Sequence, residues 1–291
     1  MKTRRLVGFL APFLVGSVCL AANHHATQPA DVSSIVGDSA HWSATKWSTD
    51  DLTLFGGIPT YHGADKNILL LRYSFYTSAY DADRLAPLWV AHVDYAGALA
   101  KAKLRTKGHD PKWERPPVFF TDKNVIEFSD ARHLPYAVHD SFTNCNPPEL
   151  PSGTGSPTDV TRGHNASNDE MKLQGDEDEG VQSQHESFSL ANVSPQTQHH
   201  NAPMWAALEN DCLVWAEKLG KVAVVTGPVF APAPIDPVTE KPNPVPVSRI
   251  LHTNGKSGPQ IPIPTHFFKV IIGKMDGKLA AIGFLVPHLA R

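Results

Sequence analysis

The sequence predicts a single α+β domain built on a mixed or antiparallel central sheet, and three observations predict it. Strand-length runs of aliphatic and aromatic residues, bounded by turn formers, occur in both halves of the chain. One long segment, Asn201 to Leu219, instead carries Trp205, Leu208, Cys212, Trp215 and Leu219 three and four residues apart, the spacing of a one-sided helix. The length of 291 residues and a hydrophobic content of 41% supply a substantial core, and no internal repeat divides the chain.

The elements follow in order. Lys2, Arg4 and Arg5 precede an apolar run from Leu6 to Leu20 and the small residues Ala21 and Ala22, which reads as a signal peptide over residues 1–22. The run contains Pro12 and is shorter than the ~20 residues of a spanning helix, so cleavage and a secreted or periplasmic location are expected. No later segment is apolar enough to cross a bilayer, so no membrane span is expected in the mature chain. Residues 23–51 are polar and aperiodic, a loosely ordered arm before a domain at 52–291. Asn67–Tyr76 and Pro87–Tyr95 read as strands, and Ala96–Arg105 as a short helix. Prolines 111, 116 and 117 then predict surface loops with short strands over 106–157. The acidic stretch Asn165–Glu186 reads as an irregular, solvated loop rather than a metal site. The Asn201–Leu219 helix has an N-cap residue type at Asn201, Pro203 in its first turn and Gly220 just beyond its end. A strand at Lys221–Thr226, a proline-rich loop to Pro246, and strands at Thr265–Ile272 and Leu279–Val286 around a Gly273–Gly277 hairpin complete the chain.

Charge narrows the function classes. Lys2, Arg4 and Arg5 are the only charges in residues 1–22, so the 26 Lys and Arg of the whole chain fall to 23 beyond them, against 29 Asp and Glu. An acidic chain argues against a protein that holds nucleic acid by bulk electrostatics, but not against an enzyme touching a few phosphates. Cys145 and Cys212 remain after cleavage; they either pair or leave Cys212 as a buried thiol on the helix.

Chemistry concentrates in two blocks. In Asp159-Val-Thr-Arg-Gly-His164, strand periodicity puts Arg162 and His164 on one face, with Gly163 between them allowing a close backbone approach. An imidazole accepts a proton near neutral pH and a guanidinium grips phosphate oxygens, two needs of phosphodiester hydrolysis. With 15 histidines in the chain, this short segment gains weight only from the second block, which runs from Phe188 to Glu209 and is polar where a core would be apolar.

Arg162-Gly163-His164, then Asn192, Pro195-Gln196, Asn201, Trp205 and Glu209 form an ordered set that resembles the DNA/RNA non-specific endonuclease family, the ββα-metal nucleases. Weaker likeness reaches from about residue 60 to 288. The resemblance implies a ββα-metal site with Asn201 as the direct ligand of Mg²⁺, or Mn²⁺, and Glu209 holding one of the ion's waters. It implies His164 as general base, Arg162 on the non-bridging oxygens, Asn192 and Gln196 shaping the site or touching substrate, and Arg84 contacting phosphate. DNA and RNA are the implied substrates, cut with little sequence preference. A homodimer and a guarding inhibitor protein are compatible partners. The family's acid before Arg-Gly-His is Thr161 here, which brings a hydroxyl but no charge and motivates an alternative: a secreted member that binds nucleic acid without cutting it.

Overall fold

A computed structural model describes residues 45–57, 67–106, 108, 110–138, 141, 160–198, 200–230, 250–251 and 261–288. The expected signal peptide, most of the arm, Cys145 and most of the proline-rich loop lie outside these. In chain order the elements are α1 (Thr49–Phe55), β1 (Ile68–Arg72), β2 (Tyr76–Asp81), β3 (Ala86–Tyr95), α2 (Ala98–Leu104), α3 (Lys123–Asp130), β4 (Val160–His164), α4 (Asn168–Met171) and α5 (Glu177–Ser187). There follow β5 (Val193–Thr197), a π-helical turn His200–Trp205 continuing into α6 (Ala206–Leu219), β6 (Lys221–Val229), β7 (Ile250–Leu251), β8 (Ile261–Pro262), β9 (His266–Met275) and β10 (Lys278–Pro287).

Six strands form the central sheet in the order β1-β2-β3-β6-β9-β10, and every neighbouring pair is antiparallel. The α+β expectation therefore holds in its antiparallel form. In register, Val90 lies beside Thr226 and Thr226 beside Lys269, while His92 lies beside Val224 and Val224 beside Ile271. Side chains alternate across a sheet, so these residues share one face. Cys212 and Ala216 of α6 pack on that face against Val222, Val224 and Ile271, and Met171 of α4 belongs to the cluster around Val90. The other face carries Val93 and Ala223, covered by Leu54 of α1 with Trp47 and Phe55. The sheet is thus a central layer with the α6 side and the α1 side packed against it.

Several expectations change. The run Asn67–Tyr76 is a hairpin rather than one strand: β1 ends at Arg72, Tyr73 N donates to Tyr76 O at 2.8 Å, and the Glu186 carboxylate accepts from Ser74 N at 2.8 Å and Ser74 Oγ at 2.9 Å. A tertiary carboxylate holds this turn, which has no Gly or Pro to announce it. Within the expected loops, α3 forms because Asp122 caps it by accepting from Asn124 N, and Val125 and Phe128 are buried beneath it.

The acidic stretch is helical, forming α4 and α5. Each starts with a capping box, Ser167 with Glu170 and Asp176 with Glu179, in which side chain and backbone bond reciprocally. Residue 52 lies within α1, which is opened by a Ser48–Asp51 capping box. Asn201 is not an N-cap, since the π-helical turn already starts at His200.

Candidate active site

The site is built on the β4–β5 pair, where Thr161 lies beside Gln196, Gly163 beside Ser194 and His164 beside Val193. Gly163 is required here. A Cβ at this position would collide with the Gln196 side chain, which is fully buried over the glycine. Thr161 Oγ1 donates to Gln196 O at 3.1 Å, so the residue in place of the family's acid ties the two strands together.

Arg162 and His164, two residues apart, lie on one face as the strand period requires. The His164 ring lies 5.1 Å from Phe119 and 5.0 Å, edge-on, from Phe188. The Arg162 guanidinium lies 5.2 Å from the Phe119 ring centre, and that of Arg115 lies 5.2 Å from Phe188. Two aromatic rings therefore grip the imidazole, and each ring has a guanidinium over it. His164 Nε2 is buried without a hydrogen-bond partner. Burial, and secondarily the charge of Arg115, pushes the imidazole down to about 3, so it is neutral at pH 7.

Behind the histidine, the Asn192 side chain is fully buried and saturated. Its Oδ1 accepts from Ala166 N at 2.8 Å, and its Nδ2 donates to Ala166 O and Ser187 O, both at 2.8 Å. Asn165 Nδ2 donates to Asn192 O at 3.0 Å and Ser194 Oγ at 3.1 Å. This lattice fixes the chain leaving His164, so Asn192 supports the site from below and presents no free amide atom to a substrate. Gln196 differs: both amide atoms are buried without hydrogen-bond partners.

Asn201 is half-buried in the π-helical turn, and Trp205 of the same turn is fully buried, with Lys269 Nζ 4.9 Å from its ring centre. Glu209 lies in the first turn of α6, and its electrostatic neighbours come from three other elements: Glu170 and Asp169 of α4, His92 of β3 and Lys269 of β9. Burial, with Glu170 as the principal like charge, pushes the Glu209 carboxyl up to about 8.

The neighbours of Glu209 include a fully buried group of ionisable side chains. His92 Nε2 lies 3.5 Å from Glu170 Oε2 and 3.7 Å from Asp94 Oδ2. Burial disfavours the imidazolium, but Glu170 and Asp94 outweigh it and hold His92 up at about 9. Burial also raises Asp94, with Glu170 adding to the effect. Glu170 is held low by His92 and Lys269 against the cost of burial. Lys269 Nζ donates to Thr226 Oγ1 at 3.1 Å.

Arg84 is ion-paired with Asp81, and its guanidinium lies 5.9 Å from the Phe230 ring centre. Its neighbour Leu85 packs in the apolar cluster of Phe119 and Phe188, which brings the β2–β3 turn to the His164 side. The structure therefore gathers His164 and Arg162 on one face of the antiparallel β4–β5 pair and Gln196 on the other, with Asn192 beneath His164, and brings Glu209 near the α4 carboxylates. Sequence reasoning missed Arg115, His92, Asp94, Glu170 and Lys269. Only Glu170 carried a local signal, as the closing residue of its capping box.

The antiparallel α+β fold is similar to that of the solved structure "Crystal structure of the EndoG/EndoGI complex: Mechanism of EndoG inhibition". The match has a TM-score of 0.52, covers 85% of this chain and 82% of that one, and has 22% identity, a likeness of fold. Residues 58–290 match the family model of the DNA/RNA non-specific endonucleases, and the chain belongs to that family.

Among curated proteins it is 30% identical over 221 residues to "Nuclease EXOG, mitochondrial" of Danio rerio, covering 74% of this chain and 52% of that one. It is 32% identical over 134 residues to the "Mitochondrial nuclease" of Saccharomyces cerevisiae, 44% of this chain and 37% of that one. It is also 31% identical over 117 residues to "Nuclease C1" of Cunninghamella echinulata var. echinulata, 36% of this chain and 38% of that one. The chain thus spans about half the length of the first of these relatives and less of the others. The expected secreted or periplasmic location is corrected by these likenesses, since the Danio and Saccharomyces relatives and a third, from Schizosaccharomyces pombe, are mitochondrial by name.

Proposed function

We propose that this protein is a divalent-cation-dependent endonuclease that hydrolyses the phosphodiester bonds of DNA and RNA with little sequence preference. The observation that carries the reading is His164: a neutral imidazole with an unpartnered buried Nε2, set between two aromatic rings that each bear a guanidinium. Its ring accepts a proton from the attacking water, and the rings keep it from turning away. Arg162 and Arg115 would neutralise the non-bridging phosphate oxygens and Arg84 would contact the substrate strand, while Gln196, buried against Gly163 on the opposite face of β4, shapes the site. Asn192 positions His164 through the backbone it clamps.

Mg²⁺, or Mn²⁺ in its place, fits the donors present: Asn201 offers one amide oxygen to a hard ion that keeps most of its waters. The desolvated Glu209 carboxyl, raised toward neutrality, is an acceptor that gains from a nearby cation and would hold one of those waters. The ion's contribution when bound is charge neutralisation at the scissile phosphate.

The test is degradation of plasmid DNA and of RNA at neutral pH with Mg²⁺ or Mn²⁺, with and without EDTA. His164→Ala is expected to lower the rate about 10²–10⁴-fold, the usual worth of a positioned base, without unfolding the chain. Asn201→Ala is expected to match the effect of EDTA. Intact substrates with the wild-type protein, together with binding unchanged in His164→Ala, would leave the binding-only alternative that Thr161 suggested.

A further inference from the structure

We propose that His92, Asp94 and Glu170 form an interior binding site for a transition-metal dication, Zn²⁺ or Mn²⁺, distinct from the ion assigned to Asn201, which pins the central strand β3 to α4. This inference does not depend on the nuclease reading.

Geometry is the first support. One nitrogen and two carboxylate oxygens converge within 4.8 Å of one another, and the two measured separations are 3.5 and 3.7 Å. Both exceed the 2.7–3.2 Å of an N–H···O hydrogen bond. Two ligands each about 2.0–2.2 Å from a tetrahedral ion lie roughly 3.3–3.6 Å apart, so the spacing suits a shared cation better than a direct contact.

Unmet bonding is the second. All three side chains are at most 1% exposed, and His92 Nδ1 and Nε2, Asp94 Oδ1 and Oδ2, and Glu170 Oε1 have no hydrogen-bond partner. Stranding this many polar atoms in a core is costly, and an ion engages several of them at once. Glu170 Oε2 is already aimed by Ser167 N, which donates to it at 3.2 Å, as ligating carboxylates are oriented in metal sites.

Donor chemistry is the third. The donor set selects the ion, since an imidazole with two carboxylates favours Zn²⁺ or Mn²⁺ over Mg²⁺ or Ca²⁺.

The experiment loads the full chain with Zn²⁺ or Mn²⁺, dialyses it against metal-free buffer and measures metal per chain by mass spectrometry. Wild type and Asn201→Ala are both expected to retain about one equivalent, the stoichiometry of a single site. His92→Ala and Asp94→Asn are expected to retain none, and Zn²⁺ is expected to raise the melting temperature of the wild type where Mg²⁺ does not. Should those two variants fail to fold, Co²⁺ loaded into the wild type reports the site by the visible spectrum of nitrogen and carboxylate ligation. Loss of all metal from the wild type on dialysis, retention in folded His92→Ala, or a Co²⁺ spectrum of the hydrated ion overturns the proposal. Full nuclease activity with an empty interior site would sink this inference alone, whereas retained metal with no nuclease activity would sink only the reading of the preceding section.

Discussion

At the scale of single residues, the proposed chemistry rests on one histidine that is uncharged at neutral pH. Burial first, and then Arg115, depress the His164 imidazole to about 3, whereas in an unfolded chain it titrates near 6.5. Between those values the unfolded chain binds the extra proton, so this contribution to stability is complete above pH 6.5 and is lost as the pH falls toward 3. His288 acts in the same sense. Its Nε2 accepts from Thr197 N at 2.7 Å while its Nδ1 lies 2.7 Å from Pro264 O, a pair of bonds that needs the neutral ring, and burial holds it down at about 4. Each group contributes a slope of at most about 1.4 kcal/mol per pH unit in that window. His164→Asn is therefore expected to flatten the fall of denaturation free energy between pH 6.5 and 3 while leaving the part due to His288. Urea titrations at several pH values measure this, and an unchanged slope would mean that His164 is solvated. Of these residues, the sequence disclosed His164 and Arg162 because they stand two apart on one strand. Arg115 was hidden because its approach to Phe188 is set by a loop whose path no local pattern fixes.

At the scale of elements, the β4–β5 pair explains why Arg-Gly-His has its glycine. The fully buried Gln196 side chain fills the space where a Cβ would stand. Gly163→Ala is expected to cost about 1–3 kcal/mol, as overpacking a filled site does. Adding Gln196→Ala should return most of that loss, a coupling read from a double-mutant cycle in denaturant. Equal and additive losses would show that the glycine serves backbone conformation instead.

The sheet strands β3, β6, β9 and β10 and the Asn201–Leu219 helix were legible because their periodicity is intrinsic to one segment, whereas β2 was not read as a strand. The turn at Tyr73–Phe75 was not, because the Glu186 carboxylate that holds it lies more than 100 residues away. For α4 and α5 the signal was present in Ser167…Glu170 and Asp176…Glu179, but acidic composition masked it. His92 and Asp94 looked like ordinary members of a buried strand, since only the folded sheet brings Glu170 over them.

At the scale of the whole molecule, α1 lies before the region that matches the family, yet it covers the sheet face opposite α6. Its Asp51 is buried and accepts from Lys221 Nζ at 2.7 Å, Ser48 N at 2.7 Å and Tyr95 OH at 2.9 Å, joining the helix to the ends of β3 and β6. Burial works against the charged carboxylate, but Lys221, Ser48 and Tyr95 outweigh it and hold the pKa below the usual value. The stability from this group is therefore present above the unfolded carboxylate's pKa and lost as the pH falls through the folded one. Lys221 is partly exposed, so solvent screens the ion pair, and Asp51→Asn is expected to cost about 1–3 kcal/mol, mainly through lost charge-assisted hydrogen bonds. For a domain of this size that lowers the melting temperature by roughly 2–4 °C per kcal/mol. Removing residues 1–57 should cost more, since it also uncovers Val93 and Ala223. Because α1 and the β4–β5 pair do not share a face of the sheet, any nuclease turnover of the truncated chain below its melting temperature should match the intact protein. Calorimetry paired with a plasmid-cleavage assay separates the two quantities; a truncated chain that melts with the full one would show that the family-matched region is stable alone and that α1 only rests upon it.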